Sequence, residues 1–303
     1  MVVADFEEFC GAFCEAASIT PPQLEADRNG ALAFTVLMRG VSVTTLHVRQ
    51  RPDAAYVMAE LGLVPDYRAV DAWRGMLEAN LAWLGRDAPI FSCSPESGEP
   101  VLYKEISLDG AGTRDGYEQI DGMVDLAGRW RDDLLGHRPF DALVCLPGAR
   151  FQPPNDPATG AFDELLRSLR ATRDGHACMA AQEPCGSFSL TVAGRDVHVR
   201  SAPHGAAESA VAVVNLGVAH THQEQQALAG MLKANFAWMT RMNSPACSRD
   251  PGTGELLVHS AYPLADMDGD LFLERLREFV RMVDWQCLFA APSTTYPGGN
   301  SNG

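Results

Sequence analysis

No run of eighteen apolar residues occurs in this 303-residue chain, so no transmembrane helix is expected. The start, Met1-Val2-Val3-Ala4-Asp5-Phe6-Glu7-Glu8, lacks the basic and apolar regions of a signal peptide, which predicts a cytoplasmic protein. Positive charge is scarce. Lys and Arg number 24 against 39 Asp and Glu, for a net charge of −15. Residues 1–150 hold 13 basic against 23 acidic side chains and residues 151–303 hold 11 against 16, so both halves are acidic. That balance argues against nucleic acid and anionic membranes, which select basic surfaces. The eight cysteines (Cys10, Cys14, Cys93, Cys145, Cys178, Cys185, Cys247, Cys287) form no CxxC pair. They read as small buried hydrophobes, not as a zinc site or a disulfide framework. No P-loop, dinucleotide fingerprint, HExxH helix, nucleophile–base arrangement or recognisable acid pair is present. No catalytic, metal-binding or cofactor-binding residue is therefore assigned. His220 and His222 lack a third ligand at recognisable spacing and read as a helix-start loop. His198 alternates with Val197 and Val199 and is expected to face solvent.

What the chain does contain is a repeat. Gly75-Met76-Leu77-Glu78-Ala79-Asn80-Leu81-Ala82-Trp83 returns as Gly230-Met231-Leu232-Lys233-Ala234-Asn235-Phe236-Ala237-Trp238, with seven of nine residue types unchanged. A spacing of 230 − 75 = 155 residues means two copies of a domain, not a solenoid. Apolar residues at helical spacing predict helices over 67–85 and 222–241, with Thr221 as N-cap and Glu224 as its capping-box partner. Their broad apolar faces require cover.

The flanking sequence repeats as well. A helix over 5–18, stopped by Pro21-Pro22, has its counterpart at Phe162–Leu169, stopped by Gly175. A hairpin turning at Arg39-Gly40 corresponds to one turning at Ala193–Asp196, and third strands follow at 54–61 and 210–216. After the repeated helix, Cys93–Tyr103 and Cys247–Val258 each read as a second hairpin, their glycines being turn residues. Helices over 117–135 and 270–289, carrying Trp130 and Trp285, close the copies. The predicted class is α+β: two similar domains ordered helix-β-β-β-helix-β-β-helix, each with an antiparallel sheet of about five strands and about three helices. The expected domains are 1–135 and 161–290, joined by a Pro-rich linker over 136–160 with an apolar patch at Leu143–Leu146. A disordered tail is expected over 291–303.

The element order, the acidic balance, Met76–Leu81 with Pro95–Leu102, and Met231–Phe236 with Asp250–Val258 together resemble the class I type III secretion chaperones, the Tir-chaperone-like family. The resemblance spans about 5–135 and 161–290. It implies a non-catalytic protein of the bacterial cytoplasm that holds the N-terminal region of a secreted effector in an extended, soluble, secretion-competent form. Secretion-system ATPase or sorting components are further implied partners. Family members are usually single copies that form homodimers through the middle helix and adjacent strand. Here the two copies are expected to pair within one chain as a pseudo-dimer, a homodimer being the alternative. The interface residues would then be Trp73, Met76, Leu77, Leu81 and Trp83 with Met231, Leu232, Phe236 and Trp238. Partner-binding grooves are placed at Phe9, Phe13, Phe34 and Val36, and at Leu166, Leu169, Phe188 and Leu190. Competing readings are a regulator or adaptor that binds a resident cytoplasmic protein through the same fold, and an enzyme of unknown reaction.

Overall fold

A computed structural model describes residues 2–24, 26, 30–84, 88–108, 113–135, 160–172, 175, 179–183, 187–201, 209–241, 245–265 and 267–283. The first half runs α1 (Val2–Ala16), β1 (Leu32–Met38), β2 (Val41–His47), β3 (Ala54–Glu60), α2 (Ala69–Ala82), β4 (Ile90–Cys93), β5 (Pro100–Ser107) and α3 (Thr113–Leu135). The second runs α4 (Gly160–Ala171), β6 (Met179–Glu183), β7 (Ser187–Val192), β8 (Arg195–Ser201), β9 (Ser209–Val218), α5 (Glu224–Trp238), β10 (Ala246–Arg249), β11 (Glu255–Pro263) and α6 (Gly269–Met282). The sheets are antiparallel, ordered β1-β2-β3-β5-β4 and β10-β11-β9-β8-β7-β6. The architecture is the expected α+β pair of similar domains, with one addition. Strand β6 extends the second sheet beyond β7; at the corresponding place the described residues of the first half hold an isolated bridge from Ala26 to Leu32.

Local chemistry explains most boundaries. Helix α1 buries Phe6, Phe9, Cys10, Phe13 and Cys14 on one face. It ends before the prolines, because Ser18 takes a left-handed φ of 55°. The Ser18 N–H then donates to the Glu15 carbonyl at 3.1 Å and the Ile19 N–H to the Cys14 carbonyl at 2.9 Å, closing a Schellman turn. Both first hairpins turn on two residues with positive φ, Arg39-Gly40 (50° and 77°) and Ala193-Gly194 (49° and 78°). This primed geometry follows the strand twist, so the turns hold the ladders Met38↔Val41 and Val192↔Arg195 in matching register. Helix α5 begins at an N-cap formed by Gln223, without a side-chain cap, rather than at Thr221. The side chain of Glu224 is engaged elsewhere, as described below.

The second hairpins are also equivalent, in a register set by the strand ends. Ser94 N–H donates to the Glu99 carbonyl (2.8 Å) and Asp250 N–H to the Glu255 carbonyl (2.9 Å), so Ser94 corresponds to Asp250 and Phe91 to Cys247. Matching Cys93 to Cys247 from the sequence is thus corrected by two residues. Trp130 packs on Phe91, ring centroids 4.4 Å apart. Trp285, the linker over 136–159, the Leu143–Leu146 patch, the tail and four cysteines (Cys145, Cys178, Cys185, Cys287) lie outside the described residues.

In each half the first and last helices pack together, α1 on α3 and α4 on α6. The middle helices cross the boundary between halves: α2 packs on α5 and β10, and α5 on β4. One apolar core runs through both halves as a result.

Candidate interaction surfaces

At the centre of the boundary lie the two asparagines of the repeated motif. Asn80 and Asn235 are 3% and 0% exposed. Each amide closes a two-bond ring with the strand of its own half. The Asn80 Oδ1 accepts from Phe91 N–H at 2.8 Å, and its Nδ2 donates to the Phe91 carbonyl at 3.0 Å. The Asn235 Oδ1 accepts from Cys247 N–H at 2.6 Å, and its Nδ2 donates to the Cys247 carbonyl at 3.3 Å. Each Nδ2 then reaches into the other half: Asn80 to the Cys247 carbonyl at 3.1 Å and Asn235 to the Phe91 carbonyl at 2.9 Å. Strands β4 and β10 are sheet edges, whose outward N–H and C=O groups would otherwise be orphaned. A square of four Nδ2-to-carbonyl bonds across the seam, with the two N–H-to-Oδ1 bonds, satisfies those of Phe91 and Cys247 and is two-fold in pattern.

Charged pairs flank this square. Arg74 on α2 grips Glu224 at the start of α5 through two bonds of 2.7 and 2.6 Å. Glu78 on α2 pairs with Arg249 on β10. The bond from Arg74 holds the Glu224 carboxyl below the usual carboxylate range, and the same pair raises Arg74. Burial pushes the Glu78 carboxyl up, against the pull of Arg249 and Arg74.

Of the residues expected at this interface, Leu81 packs with Leu84 on Val211 of the second half. Trp73, Met76, Leu77, Met231, Leu232 and Trp238 lie buried in the shared core. Trp83 turns into its own half, 5.3 Å from the Phe91 ring. Phe236 is half-buried. The interface residues expected from the sequence include neither asparagine of the repeated motif and neither ion pair. The one available signal was a polar residue kept at the same place on both apolar helix faces.

The eight expected partner-binding residues occupy a different setting. Phe9, Phe13, Phe34, Leu166, Leu169, Phe188 and Leu190 are buried, and only Val36 is part-exposed. Phe13 packs at a tilt on Phe34, ring centroids 5.8 Å apart, and Phe188 on Phe162 at 5.6 Å, fixing the first helix of each half to its sheet. Exposed apolar surface lies beside them on β1, where Leu37 is 75% exposed. Two-residue hairpin pairing leaves the N–H groups of Thr35 and Leu37 pointing away from β2, toward the sheet edge, while the Ala26–Leu32 bridge takes the edge at the start of the strand. In the second half β6 pairs along the corresponding edge of β7.

Burial pushes the Cys10 thiol up to about 12 and Cys93 to about 11, so both stay protonated. His198 is exposed and within 2.9 Å of Ser189 Oγ. His259, opposite Ala246, is buried and held neutral, its pKa lowered to about 3 by desolvation and by Arg200. The His220 and His222 rings stack at 5.8 Å. Among the described residues no three metal-ligating side chains cluster, and no helix is long and apolar enough to cross a membrane.

Two separate regions of the chain, residues 13–131 and 164–285, match the model of the Tir chaperone protein (CesT) family. The chain belongs to that family. Each match covers one half, so the Tir-chaperone unit occurs twice. No curated protein sequence matches the chain. Three solved structures illustrate the kind of chain it is similar to. One, in the ExoT–SpcS complex from Pseudomonas aeruginosa, is 14% identical, with 41% of this chain and 96% of that chain covered and a TM-score of 0.29. One in the ExsC–ExsE complex is 18% identical, covering 45% and 97%, with a TM-score of 0.35. One in the complex of the Yersinia pestis type III secretion chaperone SycH with a fragment of YscM2 is 11% identical, covering 41% and 98%, with a TM-score of 0.29.

Proposed function

We propose that this protein is a type III secretion chaperone that binds the N-terminal segment of a secreted effector and keeps it soluble and secretion-competent. Membership of both halves in the Tir chaperone family carries the reading. The β1 edge beyond the Ala26–Leu32 bridge supports it: an extended segment adds there as a strand through the N–H groups of Thr35 and Leu37, with apolar side chains against Val36 and Leu37. The buried aromatics beneath, Phe9, Phe13 and Phe34, support that surface from below. In this reading the seam holds one chain as an internal pseudo-dimer, and the Pro-rich stretch over 136–160 tethers the halves at high effective concentration.

The test is co-expression with effector genes of the same locus, followed by capture and identification of the protease-protected segment. An effector N-terminal segment should be recovered. Thr35→Pro, which removes an outward N–H and one exposed hydroxyl bond to Thr44 but no backbone bond of the β1–β2 ladder, should weaken capture about tenfold or more while leaving the melting temperature within a few degrees. If no secreted protein co-purifies, and none loses solubility when the gene is deleted, the reading fails.

A further inference from the structure

The two-fold pattern of the seam allows each charged contact to be compared with its reciprocal. Arg74 corresponds to Ala229, Glu224 to Ala69 and Glu78 to Lys233 at the 155-residue spacing of the helices. Arg249 corresponds to Cys93 at the 156-residue spacing of the strands. The reciprocal of Arg74–Glu224 is therefore Ala229 facing Ala69. The reciprocal of Glu78–Arg249 is Lys233 facing Cys93, and the Lys233 charge is indeed felt at the Cys93 thiol. The asparagine square obeys the symmetry; the charges do not.

We propose that these charges are a recognition code that makes each half select the other and reject a copy of itself. The inference rests on the seam and is independent of the client-binding reading. Pairing of two first halves would set Glu78 against Cys93 twice, in a place where its side chain is only 23% exposed, with no cation across the seam to meet it and only Arg74 of its own helix nearby. Pairing of two second halves would set Lys233 against Arg249 twice, like charge on like. Only the mixed seam matches Arg74 with Glu224 and Glu78 with Arg249. The partner that fits the seam of the first half is thus the second half of the chain, and chains do not assemble through like halves. Duplication makes such asymmetry available, because the two copies mutate independently whereas a homodimer changes both sides at once.

The test uses the full chain, with light scattering for mass and reversible urea unfolding for the seam. Arg249→Glu places Glu against Glu78 but makes the second half self-complementary, since Lys233 now faces an acid. It should lower the urea midpoint and raise the mass from 32.7 kDa toward twice that value with concentration. Adding Glu78→Arg recreates an opposite pair and should return the monomer and recover more than about half of the lost midpoint. Should Arg249→Glu not fold, the pair Arg74→Glu and Glu224→Arg, singly and together, gives the same unfolding readout at a more accessible site; because their reciprocals are Ala229 and Ala69, no rise in mass is expected from either single swap. Additive losses in both swaps overturn the proposal, as does a wild-type dimer whose cross-links join first half to first half.

Discussion

Replacement of Asn235 by alanine isolates the seam more cleanly than any other single change. Asn235 is fully buried and makes three hydrogen bonds, all to backbone groups of the edge strands: one from Cys247 N–H, and one each to the Cys247 and Phe91 carbonyls. Alanine leaves the Cys247 N–H orphaned, at about 1–3 kcal/mol. The two carbonyls lose one donor each but keep Asn80, a further cost of about 0.5–1 kcal/mol apiece. The sum is about 2–5 kcal/mol, a large part of a typical folding free energy of about 5–15 kcal/mol. Asn80→Ala should cost a similar amount, orphaning Phe91 N–H instead. In the double variant both carbonyls lose every side-chain donor, so its loss should exceed the sum of the singles by about 1 kcal/mol or more. Equilibrium urea unfolding followed by tryptophan fluorescence reads these numbers, since Trp83 and Trp238 end the two helices that carry the asparagines. Either single variant within about 0.5 kcal/mol of wild type would refute the account of the capped edges. A strictly additive double variant would refute the shared square while leaving each local ring intact.

Three other outcomes follow from the geometry. Leu81→Asp buries an unpaired charge against Val211 and should cost about 3–5 kcal/mol in the same unfolding assay. Gly269→Ala places a Cβ 2.7 Å from the backbone nitrogen of Leu169, forcing α4 and α6 apart; a loss of about 1–3 kcal/mol is expected in thermal unfolding. His259 stays neutral in the fold down to about pH 3 but takes up a proton near pH 6.5 when unfolded. Its contribution is therefore present above pH 6.5 and drains away as pH falls toward 3. Between pH 7 and 5 it amounts to about 2 kcal/mol, so His259→Gln should flatten the acid side of the stability profile by that amount.

Much of this protein can be read locally. Repetition of the Gly-Met-Leu motif gave away the duplication, because matching helices need matching apolar spacing. The glycines at 40, 98, 194 and 254 marked turns because each takes a positive φ that other residues rarely adopt. Alternating β-branched residues placed most strands to within a residue or two. Strand β6 was missed: Met179–Glu183 is short, lacks β-branched residues, and becomes a strand by pairing with β7.

The sequence by itself determined two acidic, similarly ordered α+β units and the apolar helix at the centre of each. Tertiary structure alone decided what those helices cover. The bonds of the seam join residues 144 to 171 positions apart, and no local pattern distinguishes Glu78 bound to Arg249 from any other helix-surface acid. A buried Asn carries no periodic signal either, since its value lies in strand-edge groups that come within reach only once both sheets have formed.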